Sequence, residues 1–438
     1  MKKLLIISPH FPPVNAPDMQ RVRMSLPYYK ALGWEPVVLC VDEKFVSGYK
    51  DDFLSETVAG IEVHKVKAWP EKFTRKFGIG SLSLRSYYQF KKAGSKLLSE
   101  GDFDLVLFST TLFHVCALGR HWNKKFGVPF IIDMQDPWRN DFFLNKPTRQ
   151  QPPKYWIAHT VDKKLEAYTM PYAAGIMSVS QAYIDNLKKR YSQLHHKPSL
   201  LLPFGASIKD FQLVKDKNIP SEIIRFNGKI NVVYAGGINK FFLPLIRAFF
   251  LAFKKAVANK DDYHFYFIGT NYARSNAGKP VEKIGTELGL QQLITEVPQR
   301  ISYFSTLATL MKADILFIPG SSDADYNASK VYNNIFSGKP IFSIFNEKSL
   351  VKEAINDTLS GVIVGVSETD SLEALVEKIG KAMPDFLLLH LRKIDLDGTT
   401  LKKYMANTMA EQQTSFFNKV LMSQFFLPVV LLLQDSLC

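Results

Sequence analysis

The chain has 438 residues, more than one ordinary hydrophobic core sustains, so two or more domains are expected. Hydrophobic residues at 46% against charged residues at 22% exclude a disordered chain. An excess of 55 Lys+Arg over 41 Asp+Glu gives a net charge of +14, which favours nucleotides, acidic glycans, nucleic acid or an anionic membrane face without choosing among them.

The opening MKKLLIISPHFPP has only LLII before Ser8 and Pro9, too short for the apolar core of a signal peptide, and reads as a first strand. Strands follow in the first half at PVVLCV (36–41), DLVLFS (104–109), PFIIDM (129–134), GIMSVS (175–180) and SLLLP (199–203). A second series starts at INVVYAG (230–236) and continues with HFYFIG (264–269), DILFIP (314–319), IFSIF (341–345) and GVIVGV (361–366). Amphipathic stretches separate them, as in βα units around buried parallel strands. Between the series, residues 204–229 are polar, without long apolar periodicity, and read as a linker. Near the end, FFLPVVLLL (425–433) is broken by Pro428 and falls short of the roughly 18–20 residues of a membrane span. It reads as a docking segment or a surface-seeking tail. Cys40, Cys116 and Cys438 have no CxxC spacing and leave an odd thiol, so neither a disulfide framework nor a zinc site is expected, and a reducing cytosol is the default location.

Ligands of such sheets bind beyond the carboxyl ends of the strands. After the first strand, SPHFPPVNAPDMQRVRM carries Arg21 and Arg23, which either pair with a carboxylate or phosphate or sit on a solvated helix face. His114, in STTLFHVCALG, is a candidate general base or a packed histidine. DMQDPWRND follows the fourth strand; there Asp136 could bind sugar hydroxyls, move a proton or open a turn, and Trp138 could stack on a sugar or base. No further acidic or His ligand stands at a convincing metal spacing, so no metal is expected. In the second half, YAGGINKF supplies Gly236, Gly237, Asn239 and Lys240, small residues that admit a phosphate and a lysine to neutralise it. FIGT adds Gly269, and Arg300 is either part of an anion site or a surface ion pair. In SKVYNNIFSGKP (329–340), Ser329 can cap a helix starting near Lys330, Gly338 can end it and Pro340 stops it.

Taken together, SPHFPP, DFDLVLFSTT, VPFIIDMQDPW, IMSVS, LLPFG, YAGG and above all ADILFIPGSSDADYNASKVYNNIFSGKPI resemble the GT-B glycosyltransferases of the retaining family 4 type, over residues 1–385. The resemblance implies an α/β chain of two doubly wound Rossmann-like domains facing a central cleft. It implies an acceptor-side domain at 1–205, a linker at 206–229, a nucleotide-sugar domain at 230–395 and a helical tail at 396–438 that returns to the first domain. By the same resemblance, Gly236, Gly237, Asn239, Lys240, Gly269, Arg300, Asp325, Ser329, Lys330 and Asn333 would hold the donor, while His114, Asp136 and Arg21 would serve the acceptor. Asp325 and Asn333 stand where many members have two glutamates, and Gly237 stands where an Arg is frequent. The expected function is hexosyl transfer from a nucleotide-diphosphate sugar to a glycan or lipid-linked glycan, in cell-surface polysaccharide synthesis, without cofactor or metal. Attachment to an anionic membrane would be peripheral, and no nucleic-acid partner is expected. A catalytically silent nucleotide-sugar binder and an epimerase of the same fold are the alternatives.

Overall fold

The computed structural model describes the chain except residues 140, 142, 145–146, 153, 225–227, 272–277, 323–329, 397–398 and 435–438, and the side chains of 77, 350 and 425–434. The chain divides into two compact units, one of residues 1–204 with 406–438 and one of residues 205–405.

The first unit holds β1 (Lys2–Ile7), β2 (Trp34–Val41), β3 (Glu62–Val66), β4 (Leu105–Ser109), β5 (Phe130–Met134), β6 (Gly175–Ser178) and β7 (Ser199–Leu201). They lie in the order β3-β2-β1-β4-β5-β6-β7 and every neighbouring pair is parallel. The order reverses between β1 and β4, so the loops after these strands diverge to opposite faces and leave a crevice. Leu4, Leu5, Ile6 and Ile7 are all fully buried, as a strand covered on both faces requires. One end of the sheet's helical cover comes from far away in sequence. Helix Ala406–Gln434 lays Met409, Phe417 and Val420 into this core, and the Tyr29 hydroxyl donates to Gln413 Oε1 at 2.9 Å.

The second unit repeats the plan with β8 (Ile230–Ala235), β9 (Tyr263–Ile268), β10 (Ile294–Val297), β11 (Ile315–Ile318), β12 (Ile341–Asn346) and β13 (Gly361–Val366). Their order is β10-β9-β8-β11-β12-β13, again all parallel. Its core is aromatic: the Phe249 ring lies 4.5 Å from Phe317, 5.4 Å from Phe386 and 5.8 Å from Phe265 between centroids.

Three details differ from the sequence reading. β3 and β10 are additional strands, each at an edge of its sheet. The stretch read as a linker contains helix Ile208–Asp216, whose N-terminus is capped by Ser207 and whose Phe211 and Val214 are buried. The segment at 425–433 continues helix Ala406–Gln434 rather than breaking at Pro428. Among the described residues no helix is long and apolar enough to cross a membrane.

Candidate functional sites at the strand ends

In the second unit, β8 ends at Ala235 and the chain turns through Gly236, whose φ of +154° is open to glycine alone. The missing side chain is used: a Cβ on Gly236 would lie 1.9 Å from Lys330 Nζ. Lys330 opens helix Lys330–Phe336, and its ammonium also rests 5.6 Å from the centre of the Tyr234 ring. Among the described residues no carboxylate pairs with it. Burial first, and the charge of Arg300 second, bring this ammonium down to about 8. Gly269, at φ +68° after β9, completes the approach: its missing Cβ would meet Arg300 at 3.8 Å. Asn333 stands one turn beyond Lys330 on the same helix, and its buried Oδ1 accepts no hydrogen bond among the described residues. Gly338 ends the helix at φ +74° before β12, as expected from its sequence.

Gly236, Gly269, Arg300 and Lys330 therefore converge at the ends of β8, β9 and β10. Gly237 sits beside them and accepts the Tyr234 hydroxyl at 2.8 Å. Asn239 and Lys240 do not join the group by any hydrogen bond or ion pair. Asn239 Oδ1 takes the Phe241 N–H at 2.8 Å in a local turn, and Lys240 extends over the exposed Phe241 ring. Asp325 and Ser329 lie outside the described residues.

The first unit gathers a different set. Arg21 was expected to face an acceptor, but it is fully buried: Nε pairs with Asp133 at 2.9 Å, and its other nitrogens donate to the carbonyls of Leu202 and Pro203. It is a framework residue that ties helix Gln20–Tyr29 to β5 and to the end of β7. Ser109 and Gln135 donate to the same Asp133 oxygen. Trp138 is likewise enclosed, stacked on Phe113 at 5.7 Å, so it offers no face to a sugar.

His114 and Asp136 remain accessible. His114 Nδ1 meets Ser83 at 2.9 Å and Nε2 meets Asp162 at 3.3 Å, so the ring is held from both nitrogens while still partly exposed. Asp136 is exposed, yet desolvation by its immediate surroundings, followed by the charge of Asp18, pushes its carboxyl up. Asp18 itself is buried; burial alone would raise it, but hydrogen bonds from His10 at 2.8 Å and Thr110 at 2.8 Å hold it below the usual carboxylate range. Sequence reasoning missed Asp18, Ser83 and Asp162. Asp18 stood in a loop already singled out, whereas Asp162 lies mid-helix, where spacing carries no sign of a partner 48 positions earlier in His114. No cluster of three or more His, Cys, Asp or Glu suited to a metal occurs among the described residues.

No protein-family profile matches the sequence, and no curated protein does either. Solved structures do match, along nearly the whole chain. Sucrose-phosphate synthase of Thermosynechococcus elongatus is 12% identical with a TM-score of 0.61, covering 97% of this chain and 100% of its own. A UDP-forming trehalose-phosphate synthase of Burkholderia xenovorans is 12% identical with a TM-score of 0.60, covering 96% and 99%. The fold is GT-B. HepE of Anabaena, solved with UDP and glucose, shares that GT-B fold at 12% identity and a TM-score of 0.57, covering 97% of this chain and 99% of its own. At such identities the likeness reaches the glycosyltransferase fold and stops there.

Proposed function

We propose that the protein is a nucleotide-sugar-dependent glycosyltransferase of the retaining family 4 type, moving a hexosyl group to a glycan or lipid-linked glycan in cell-surface polysaccharide synthesis. The carrying observation is the Lys330 ammonium, uncompensated by any described carboxylate, laid across Gly236 next to Arg300 at the strand ends of a GT-B unit. Such a pair of cations is suited to a diphosphate, and HepE was solved with UDP and glucose.

In this reading the bond from the anomeric carbon to the diphosphate oxygen breaks with its electron pair leaving on the nucleotide diphosphate. Lys330 and Arg300 meet the charge that develops there, and their effect is largest in the transition state. The acceptor oxygen forms the new bond and gives up its proton. In the first unit, Asp136, whose raised carboxyl suits proton transfer, and His114, oriented by Asp162, are the acceptor-side candidates. Asn333 reads the donor with an amide instead of a carboxylate. The reaction needs no bound metal, so activity persists in a chelator. The enzyme works from the cytosol, attached peripherally to an anionic membrane.

A panel of nucleotide-sugars tests the reading. The wild type transfers one of them, and Lys330→Ala lowers the rate about 100-fold or more with the fold intact. Donor binding without turnover by the wild type would favour the silent binder, a reading to which Asn333 in place of a glutamate gives weight. Wild-type turnover by Lys330→Ala would remove this lysine from the site.

A further inference from the structure

Helix Tyr155–Thr169 of the first unit is inverted relative to an ordinary surface helix. Its fully buried positions are Glu166 and Thr169, and the half-buried positions in line with them include His159 and Asp162. Polar side chains of the same unit meet these groups: Tyr191 donates to Glu166 at 2.9 Å, Arg190 pairs with it at 3.1 Å, and His159 contacts Asp141 at 2.8 Å. Solvent meets the apolar ones. Trp156 is 71% exposed, Ile157 42%, Val161 39% and Tyr168 41%, with Lys163 and Lys164 among them. A surface helix normally does the reverse.

The neighbouring helices extend this face. Helix Leu82–Glu100 exposes Leu84 and Tyr88, then Lys91, Lys92 and Lys96. Helix Ala117–Phe126 exposes Lys124 and Lys125. The three are joined at the surface, since Arg120 stacks on Tyr168 at 4.2 Å and on the exposed Tyr172 at 3.8 Å. Lys91 and Lys125, from two different helices, also both act on His121. The carboxylates of these helices do not balance the cations: Glu166 is enclosed, Asp162 is held by His114 and Glu100 is paired with Lys96.

We propose that this face, centred on helix Tyr155–Thr169, is where the protein lies on an anionic lipid surface, with Trp156, Ile157 and Val161 entering the headgroup boundary and the surrounding lysines meeting lipid phosphates. Trp and Tyr suit the headgroup level, and long lysine stems lie along apolar surface while their ammonium groups stay in the polar layer. A protein partner is the poorer fit, because interface centres are depleted of lysine. The inference rests on the reading of the acceptor as lipid-linked in one respect. Asp162, on the inner side of the docking helix, is the residue that orients His114, so a lipid-borne acceptor would arrive beside that imidazole.

Sedimentation of the full chain with vesicles tests it. The wild type should bind phosphatidylcholine vesicles only when phosphatidylglycerol is included, and should be released by salt. Lys163→Glu/Lys164→Glu should weaken that binding by about tenfold or more. Trp156→Ser/Ile157→Ser should weaken it comparably with an unchanged melting temperature, because neither side chain is buried. Wild-type vesicle binding by both variants, no binding by the wild type, or a wild-type dimer that these variants dissociate would each overturn the proposal. Nucleotide-sugar binding measured without vesicles should be the same in all three proteins; its absence from the wild type would overturn the proposed enzyme and leave the vesicle result standing.

Discussion

Burial of an ammonium costs free energy that an anion beside it can return, and among the described residues no carboxylate pairs with Lys330. Its ordinary value near 10.5 falls to about 8 in the folded chain. Below about pH 8 the group is charged in both folded and unfolded states and the cost is fully present. Between about 8 and 10.5 the folded state sheds its proton first, so this contribution to stability improves as pH rises through that window. Lys330→Ala should therefore stabilise the ligand-free protein at neutral pH, by on the order of 2–4 kcal/mol at most, read as a higher melting temperature. If the proposed donor places its diphosphate on this ammonium, Kd should rise as pH climbs above about 8, and donor binding there should take up a proton. A Kd constant from pH 7 to 10 would contradict this. Arg21 presents the opposite case. Arg21→Ala leaves the enclosed Asp133 side chain without its guanidinium partner, and should cost about 3–5 kcal/mol in urea unfolding. An Arg21→Ala protein of unchanged stability but impaired transfer would return Arg21 to the acceptor site.

At the scale of elements, the second unit leans on one side chain. Phe249 lies on helix Leu243–Ala256 and its ring touches those of three strands, β9, β11 and β12, through Phe265, Phe317 and Phe342. Phe249→Ala should destabilise this unit by about 3–5 kcal/mol. The readout is unusually clean. All five tryptophans, at 34, 69, 122, 138 and 156, belong to the first unit, so tryptophan fluorescence follows that unit while circular dichroism sees both. A fluorescence midpoint that moves with the dichroism midpoint would show that the units unfold as one. The central strands were readable because burial on both faces makes them continuous apolar runs, as in LLII and LVLFS. The edge strands were not. EVHKV and ITEV have one side at the sheet margin and keep Glu62, His64 and Thr295 partly exposed, so no apolar run marks them. At the candidate sites, glycines after strands and Lys330 before a helix were legible as local chemistry. The Asp162 contact to His114 was not, because it depends on which helix packs beside which.

For the whole molecule, the covalent path matters as much as the two sheets. The chain leaves the first unit at Phe204, builds all of the second, and returns at Ala406, with the Ala206 N–H bonded to the Tyr404 carbonyl at 2.9 Å where the outgoing and returning segments meet. The returning helix is part of the first core, since Phe417 is fully buried edge-on to Trp34 at 5.4 Å and to Tyr29 at 6.0 Å. Phe417→Ala should lower the stability of the first unit by about 3–5 kcal/mol and shift the tryptophan fluorescence midpoint with it. An unchanged midpoint would mean that the helix merely rests there.

The same path sets an order of events on the ribosome. The first 204 residues emerge with the apolar side of helix Gln20–Tyr29 and the Trp34 indole uncovered, because the segment that covers them is encoded beyond residue 405. At about 5–20 residues per second, the 201 residues from 205 to 405 occupy roughly 10–40 s of translation. For that interval the nascent first unit is an incomplete globule with an adhesive seam. A holdase waiting at the exit tunnel would find its client there, and a finished first unit dates from the emergence of helix Ala406–Gln434 rather than from the synthesis of its own sheet.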